Sequence, residues 1–259
     1  MSVRPNPLPF AVRWRSNLIQ APLLFLATAI FGTLALIVSA FDRTGRSEHR
    51  IARLWARACL IAAASKVTVR GAENLRRHPL AVYASNHTSF MDIPVIFTSL
   101  PFQFRILAKK ELWRWPFIGW YLSRSGQIPI DTANPHATLS SLGAGVKALR
   151  SGMSLFVFPE GRRTDTGELN EFLSGAAFLA IRAQAPLVPI ALTGGRDLLP
   201  MHSHHFFPVP LTLTAGEPIE TRGLTLRQAD ELTAKVRAAI ESLLNHENGT
   251  TEPAAAARV

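Results

Sequence analysis

The sequence predicts an α/β fold, in which a mixed, largely parallel sheet is flanked by helices and preceded by an N-terminal, membrane-associated helix pair. From Val67 onward, short apolar runs alternate with helical stretches, as is typical of α/β proteins. A long apolar run occupies residues 18–41, and an arginine-rich segment follows it. With 259 residues, the chain can bury one complete domain beside such an appendage.

Composition excludes a disordered chain and leaves several classes of partner open. Hydrophobic residues make up 47% of the sequence and charged residues only 18%, which favours a folded protein with some membrane contact. The net charge of +10 suits anionic lipid headgroups, acidic substrates or nucleic acid. Nucleic acid is not expected, because the basic residues are dispersed and no nucleic-acid-binding motif is present. The single Cys59 excludes an internal disulfide and suits a reducing compartment.

The apolar run from Leu18 to Phe41 is predicted to be a membrane segment. As a helix it would reach about 36 Å, enough to cross a bilayer, and Gln20 is its one markedly polar residue. The alternative is a cleaved signal peptide, because two arginines precede the run and Val38-Ser39-Ala40 resembles a cleavage site. The run is longer than a typical signal core, so the membrane segment is favoured.

The next segment is predicted to be a basic amphipathic helix at a membrane surface. Its apolar positions include Ile51, Leu54 and Trp55, and its charges are Arg43, Arg46, Arg50, Arg53 and Arg57. A helix that packs on its own domain is the alternative. Positive charge is heavier after the apolar run than before it, which favours a cytoplasmic location for the remainder of the chain. A spanning helix and a re-entrant pair in one leaflet fit the sequence equally.

The predicted main domain contains seven strands and at least two well-defined helices. The strands are Val67–Val69, Leu80–Ala84, Phe104–Ala108, Gln127–Ile130, Leu155–Phe158, Leu187–Leu192 and Leu211–Thr214. Apolar residues from Leu139 to Leu149 recur at helical spacing before a stop at Ser151-Gly152. Thr225 and Gln228 form a predicted capping box for a final helix that ends at Asn248-Gly249. The predicted regions are therefore 1–65 (membrane anchor), 66–247 (main domain) and 248–259 (flexible tail).

His87 and Asp92 stand five residues apart, directly after the second predicted strand. On a regular helix this separation would place them about 140° apart, so a bend at the helix start is needed to bring them together. If they meet, the carboxylate fixes the imidazole tautomer and leaves the other ring nitrogen as a general base. Free amides at the helix start would then face a developing oxyanion. The alternative is that Asp92 only caps the helix, in a capping box with Ser89.

A second turn rich in charge follows the fifth predicted strand, in the stretch Phe158-Pro-Glu-Gly-Arg-Arg163. Arginines at the carboxyl end of a strand are placed where α/β folds bind phosphate. The alternative is an ordinary exposed basic turn.

Taken together, these motifs resemble the 1-acylglycerol-3-phosphate acyltransferase family of glycerolipid acyltransferases. Asn86 to Asp92 matches the pattern N-H-x-x-x-x-D, and Phe158 to Thr164 matches F-P-E-G-x-R-S with Thr in the last place. Two further blocks follow in the family's order, one from Ala108 to Asp131 and one at Val188-Pro-Ile190. The resemblance covers roughly residues 67–219.

The resemblance implies roles for individual residues. His87 would be the general base and Asp92 its orienting partner. Glu160, Gly161 and Arg163 would form the site for the acceptor's phosphate. Lys109 is a second expected positive contact, ranked below Arg163 because arginine can hold a phosphate through two donors.

This sequence departs from the family pattern at two positions. Thr132 stands where the family usually has an arginine that helps to hold the acceptor's phosphate, and Arg162 replaces a usual threonine. We hypothesise that Arg162 takes over phosphate binding. The alternative is that these two differences from the family indicate an acceptor with a different headgroup.

The implied reaction is direct acyl transfer from acyl-CoA or acyl carrier protein to lysophosphatidate, without a cofactor or a metal. No G-x-S-x-G motif is present, so an acyl-enzyme intermediate is not expected. Three histidines between 202 and 205 lack a metal-ligand pattern and are assigned to a loop. Alternatives are transfer to glycerol-3-phosphate or another lysolipid, hydrolysis, and a non-enzymatic binding protein. Membrane lipids are expected partners, and the expected location is the cytoplasmic membrane, with the catalytic domain on its cytoplasmic face.

Overall fold

One seven-stranded sheet forms the centre of the protein. The computed structural model describes residues 9–42 and 44–251. The strands are β1 (Val67–Arg70), β2 (Val82–Ser85), β3 (Phe104–Lys109), β4 (Ile128–Ile130), β5 (Ser154–Val157), β6 (Leu187–Thr193) and β7 (Leu211–Ala215). All seven predicted strands are confirmed, with small shifts at their ends.

The strand order places β2 at the middle of the sheet. The order is β1-β7-β6-β2-β5-β3-β4. Neighbouring strands run parallel except for β6 and β7, so the prediction of a mixed, largely parallel sheet is confirmed. Because β2, β3 and β5 are mutually parallel, the segments that follow them gather at one edge of the sheet. Those segments carry the residues that the sequence singled out.

The N-terminal region forms one long helical rod and a second helix that folds back beside it. The rod comprises α1 (Phe10–Arg15), a π-helical segment (Ser16–Gln20) and α2 (Ala21–Ser39). It is the one helix of the described part that is long and apolar enough to cross a membrane, and only 11% of its most apolar window is buried in the protein. This composition suggests membrane association. The second helix is α3 (Arg46–Ala62), and Arg43, predicted to belong to its basic row, lies outside the described residues.

The face of α3 that carries Ala52, Ala56 and Cys59 is buried in the main core. The alternative prediction, a helix packed on its own domain, therefore holds for this face. Trp55 ties α3 to α2 through a hydrogen bond from Nε1 to Oγ1 of Thr28 (3.0 Å). The opposite side of the helix is exposed, and its contact with a membrane surface stays a prediction.

The remaining helices cover both faces of the sheet. They are α4 (Ala72–Arg77), α5 (Asp92–Ser99), α6 (Ile118–Arg124), α7 (Pro135–Arg150), α8 (Gly175–Ala183), α9 (Gly195–Leu198) and α10 (Ala229–Thr251). One core lies between the sheet, α3 and α5, and a second lies between the sheet, α7, α8 and α10. The predicted stop of α7 is confirmed, since Ser151 is its C-cap residue.

The final helix begins as predicted but ends later. Thr225 and Gln228 form the predicted capping box of the short 3₁₀ turn (Leu226–Gln228) that leads into α10. The predicted end at Asn248-Gly249 is wrong, because the helix continues to Thr251. Glu247 pairs with Arg70 of β1 at 2.7 Å, which fixes the last turns against the sheet, and one helical glycine costs only about 1 kcal/mol. Residues 252–259 of the predicted tail lie outside the described residues.

Candidate active site

The bend that the sequence requires is present between β2 and α5. β2 ends at Ser85 and α5 begins at Asp92, so His87 precedes the helix while Asp92 opens it. Nδ1 of His87 lies 2.8 Å from Oδ2 of Asp92. The side chain of His87 is 18% exposed and that of Asp92 only 2%. The two residues predicted to act together are therefore in hydrogen-bond contact.

A single oxygen of Asp92 holds the whole turn. Besides the imidazole, Oδ2 accepts the backbone N–H of Thr88 (2.8 Å) and of Ser89 (2.9 Å). Three donors on one oxygen suit an ionised carboxylate, so the proton of the contact lies on Nδ1 of His87 and Nε2 is left as the ring's acceptor atom. The two interpretations of Asp92 are thus combined, since one oxygen orients the imidazole and also binds backbone amides. The capping box with Ser89 is only half formed, because the N–H of Asp92 donates to the backbone carbonyl of Ser89 (3.3 Å) and not to its Oγ.

The sequence predicts free amides at the start of α5 that face an oxyanion. This prediction is wrong for the amides of Thr88 and Ser89. Both donate to Asp92 and are buried. The amide of Met91 donates to Oγ of Ser89 at 3.3 Å. The carboxylate of Asp92 therefore accepts the hydrogen bonds that were predicted to go to the substrate.

Neighbouring segments hold the backbone of the turn from two sides. The side chain of Asn86 pairs with the backbone of Leu192 in β6, accepting its N–H (2.8 Å) and donating to its carbonyl (2.9 Å). The N–H of His87 donates to Oε1 of Glu160 (2.8 Å), and its carbonyl accepts the N–H of Thr164 (2.9 Å). These bonds fix where the imidazole stands relative to the turn after β5.

Two aromatic contacts shape the site around the imidazole. The ring of His87 stacks on Phe158, with centroids 3.9 Å apart and planes 19° from parallel. The guanidinium of Arg163 lies over the ring of Phe90, 3.7 Å from its centroid, a cation–π arrangement. Partial burial lowers the pKa of Arg163 from its usual value, and the charge of Asp92 opposes that shift. Arg163 stays charged at any physiological pH.

A large cavity of about 1110 Å³ opens on the imidazole. It is larger than most small-ligand pockets, which span about 300–1,000 Å³. Its lining is mostly apolar and includes Phe31 and Ala35 of α2, Trp55 of α3 and Phe97 of α5. Such a lining suits a hydrocarbon chain. Three residues of the aromatic-rich stretch 113–121, Trp115, Phe117 and Tyr121, also line it.

The predicted site residues fall into two groups. His87, Lys109, Gly161, Arg162 and Arg163 line the cavity, as does Thr132. Glu160 is buried, and both of its carboxylate oxygens accept hydrogen bonds from the protein. A role of any of these residues in substrate binding stays a prediction.

Comparison with known proteins agrees with this architecture. A family model described as "Acyltransferase" matches residues 66–193. The 1-acyl-sn-glycerol-3-phosphate acyltransferase of Chlamydomonas reinhardtii is 30% identical over 246 residues, which are 93% of this chain and 72% of that relative. The chain belongs to the 1-acyl-sn-glycerol-3-phosphate acyltransferase family. The resemblance found in the sequence is confirmed.

Other members of the family are similar over a large part of this chain. A chloroplastic 1-acyl-sn-glycerol-3-phosphate acyltransferase of Arabidopsis thaliana is 34% identical over 71% of it, and one of Brassica napus is 36% identical over 64%. The chain spans about half the length of these two relatives, 51% and 48%. The crystal structure of the 1-acyl-sn-glycerophosphate acyltransferase PlsC of Thermotoga maritima has the same fold, with a TM-score of 0.79 at 23% identity, and the match covers 94% of this chain and 99% of PlsC.

The structure adds residues that sequence reasoning did not single out for a role. Asn86 holds β6, Phe158 supports the imidazole, and Asn170 binds Glu160. Gly195 at the start of α9 passes so close to the turn that a Cβ there would lie 2.6 Å from Oδ1 of Asp92. In the sequence, this close approach is indicated by the adjacent glycines 194 and 195, because glycine is common where two backbone segments approach closely.

The histidine-rich loop lies apart from these contacts. The rings of His204 and His205 are 4.6 Å apart. Among residues 9–42 and 44–251, no group of three or more His, Cys, Asp or Glu is arranged to hold a metal ion. A reaction without a metal stays an expectation.

Proposed function

We propose that the protein transfers a fatty acyl group from a thioester donor to the free hydroxyl of lysophosphatidate, giving phosphatidic acid. Nε2 of His87 takes the hydroxyl proton as that oxygen attacks the thioester carbonyl, and the thiolate leaves. Asp92 holds the imidazole and stabilises the positive charge that it gains. General-base catalysis of this kind contributes about 10²- to 10⁴-fold in rate.

One observation carries the proposal: the hydrogen-bonded His87–Asp92 pair stands at a largely apolar cavity that also contains Arg163. A general base, a hydrocarbon-binding surface and a fixed positive charge are the three parts that this reaction needs. Lysophosphatidate has a matching hydroxyl, acyl chain and phosphate. Its systematic name, 1-acyl-sn-glycerol-3-phosphate, also forms part of the names of the relatives to which this chain is similar.

Direct transfer fits the environment of the single thiol. Cys59 lines the cavity but is buried, and burial raises its pKa to about 12. A thiol with that pKa is protonated at neutral pH and is a poor nucleophile. We therefore assign the attack to the acceptor hydroxyl itself, with no acyl-enzyme.

Arg162 is our candidate for the second phosphate contact. Thr132, which replaces the family's arginine, lines the same cavity as Arg162, and this shared lining supports a charge that is lost at one position and regained at the other. Gly161 supports this turn with a left-handed backbone (φ +65°) that a side chain would strain. Arg163 and Arg162 would together bind the phosphate, with Lys109 at the edge.

Membrane attachment through the apolar rod would bring the cavity to the lipid phase, where lysophosphatidate resides. We place the catalytic domain on the cytoplasmic face because arginines are more abundant after the apolar run than before it. That side supplies both expected donors, acyl-CoA and acyl carrier protein.

The test is acyl transfer by the purified full chain in detergent, with labelled acyl-CoA or acyl carrier protein and a panel of acceptors. We expect labelled phosphatidic acid from lysophosphatidate and little free fatty acid when no acceptor is present. Preference for glycerol-3-phosphate or another lysolipid would replace the acceptor in our proposal. Free fatty acid as the main product would identify a hydrolase instead.

A further inference from the structure

Glu160 is a buried carboxylate at the centre of the site, and its contacts are all with the protein's own donors. Oε1 accepts the N–H of His87 at 2.8 Å. Oε2 accepts both the backbone N–H and the side-chain Nδ2–H of Asn170, each at 2.9 Å. Glu160 itself is 5% exposed. A carboxylate held so deeply needs such donors, because an uncompensated buried charge is costly.

Together with Asp92, this carboxylate binds three consecutive amides of residues 86–92, which we call the catalytic turn. Glu160 takes the N–H of His87, and Asp92 takes those of Thr88 and Ser89. The carbonyl of His87 is bound by the N–H of Thr164, four residues after Glu160. Both backbone groups of His87 are therefore held by the segment 160–164, so a displacement of Glu160 moves the imidazole.

We infer that Glu160 is a positioning residue that connects the segment around Asn170 to the backbone of His87, and that it does not bind the acceptor's phosphate. A carboxylate repels a phosphate, and both of its oxygens already have donors. The inference rests on the proposed function for its kinetic part, because His87 must be the base for its position to matter.

The polarity of the Glu160–Asn170 contact provides a specific test. In Glu160→Gln, one amide oxygen can still accept from His87, but the new NH₂ group faces the two donors of Asn170. Adding Asn170→Asp supplies an acceptor for that NH₂ group. We expect Glu160→Gln to lower kcat about 10²-fold, with KM for lysophosphatidate within about twofold of wild type. Because the backbone N–H of residue 170 still faces the NH₂ group, the double variant is expected to regain part of the lost kcat, whereas a phosphate-binding role would predict no such rescue.

A second readout does not depend on turnover. Diethyl pyrocarbonate acylates an unprotonated imidazole, and mass spectrometry of peptides reports its rate at His87 relative to the exposed His136 of the same sample. We expect a severalfold faster reaction at His87 in Glu160→Gln and a return toward the wild-type rate in the double variant. Glu168→Gln, an exposed carboxylate on the same segment, is the matched control and is expected to match wild type in both assays. If Glu160→Gln fails to fold, Asn170→Ala can replace it, because this variant removes only the hydrogen bond from Nδ2 to Glu160. The labelling rate at His87 is then measured in Asn170→Ala.

The outcomes separate this inference from the proposed function. A raised KM with unchanged kcat, no rescue by Asn170→Asp, or an unaltered labelling rate at His87 would overturn the positioning role. Absence of acyl transfer by the wild-type protein would overturn the proposed function, while the labelling rates would still decide whether Glu160 positions His87.

Discussion

The two halves of the candidate site are built differently. The catalytic turn, residues 86–92, has its key polar groups bound within the protein, and Asp92 is 2% exposed. The cationic rim, which we define as Lys109, Arg162 and Arg163, lies along the cavity with more exposed side chains. The role of the turn follows from its internal geometry, whereas the rim needs a ligand to complete its contacts. Variants in the turn should therefore change kcat, and variants in the rim should change KM.

Removing the imidazole is the most severe test of this contrast. We expect His87→Ala to abolish measurable acyl transfer, a loss of about 10²- to 10⁴-fold or more, because the proposed general base is removed. The protein should stay folded with a modest fall in melting temperature, because the ring lies at the cavity surface but contacts Phe158 and Asp92. His136→Ala, at an exposed position, is the matched control and should retain full activity. An active His87→Ala enzyme would refute the assignment of the base.

Neutralising Asp92 without changing its shape comes next. The amide oxygen introduced by Asp92→Asn keeps an acceptor at the same place, although a weaker one than the carboxylate, and it cannot stabilise the imidazolium formed during transfer. We expect kcat to fall about 10²- to 10⁴-fold with KM for lysophosphatidate nearly constant. Steady-state kinetics on the purified variant measure this split. A fall in affinity with kcat preserved would mean that Asp92 serves the acceptor and not the base.

How much of this contrast the sequence could predict depends on the range of the contacts. The pairing of His87 with Asp92 was predictable because five residues and one bend bring them together. The contact of Asn86 with Leu192 spans 106 residues and was not, since only the folded sheet sets β2 beside β6. The binding of nearby amides by Asp92 was open in the sequence as the capping alternative, and the structure shows that the oxygen that binds them also holds the imidazole.

The fold was predictable to a similar extent. Seven apolar runs indicated seven strands because a central strand must be apolar on both faces. The burial of Cys59 and Ala56 in the core was left open by the sequence, since a row of arginines beside apolar residues suits a membrane surface and a domain surface equally. The late end of α10 depends on the contact of Glu247 with Arg70, which is 177 residues away in sequence.

On the rim, Arg162→Thr tests whether the charge lost at Thr132 is regained. We expect KM for lysophosphatidate to rise about 10- to 100-fold with kcat little changed, because one charge-assisted phosphate contact contributes about 1.5–3 kcal/mol. The double variant Thr132→Arg with Arg162→Thr restores the family's arrangement and should recover the wild-type KM. An unchanged KM in Arg162→Thr would rule out the takeover and point to a different acceptor headgroup.

The smallest expected effect concerns His49 of α3, which packs against α5, the helix that follows the catalytic turn. Its ring packs against Phe97 of α5 (centroids 5.4 Å apart) and Phe104 of β3 (5.1 Å). Burial, aided by the charge of Arg53, lowers the pKa of His49 to about 4 from its usual value near 6.5. Between pH 6.5 and pH 4 the unfolded chain therefore binds a proton that the folded protein excludes. The stability contributed by the neutral ring is complete above pH 6.5 and is lost as the pH falls toward 4.

His49→Leu removes this titration while keeping an apolar side chain between the two phenylalanines. From pH 7 to pH 5, wild type should lose more unfolding free energy than the variant, by on the order of 2 kcal/mol. Urea unfolding in detergent at the two pH values measures the difference, and His136→Leu, at an exposed position, should behave like wild type. Equal pH dependence in wild type and His49→Leu would mean that the ring accepts a proton inside the fold. In that case the packing of α5, and with it the catalytic turn, would be less rigid than its contacts indicate.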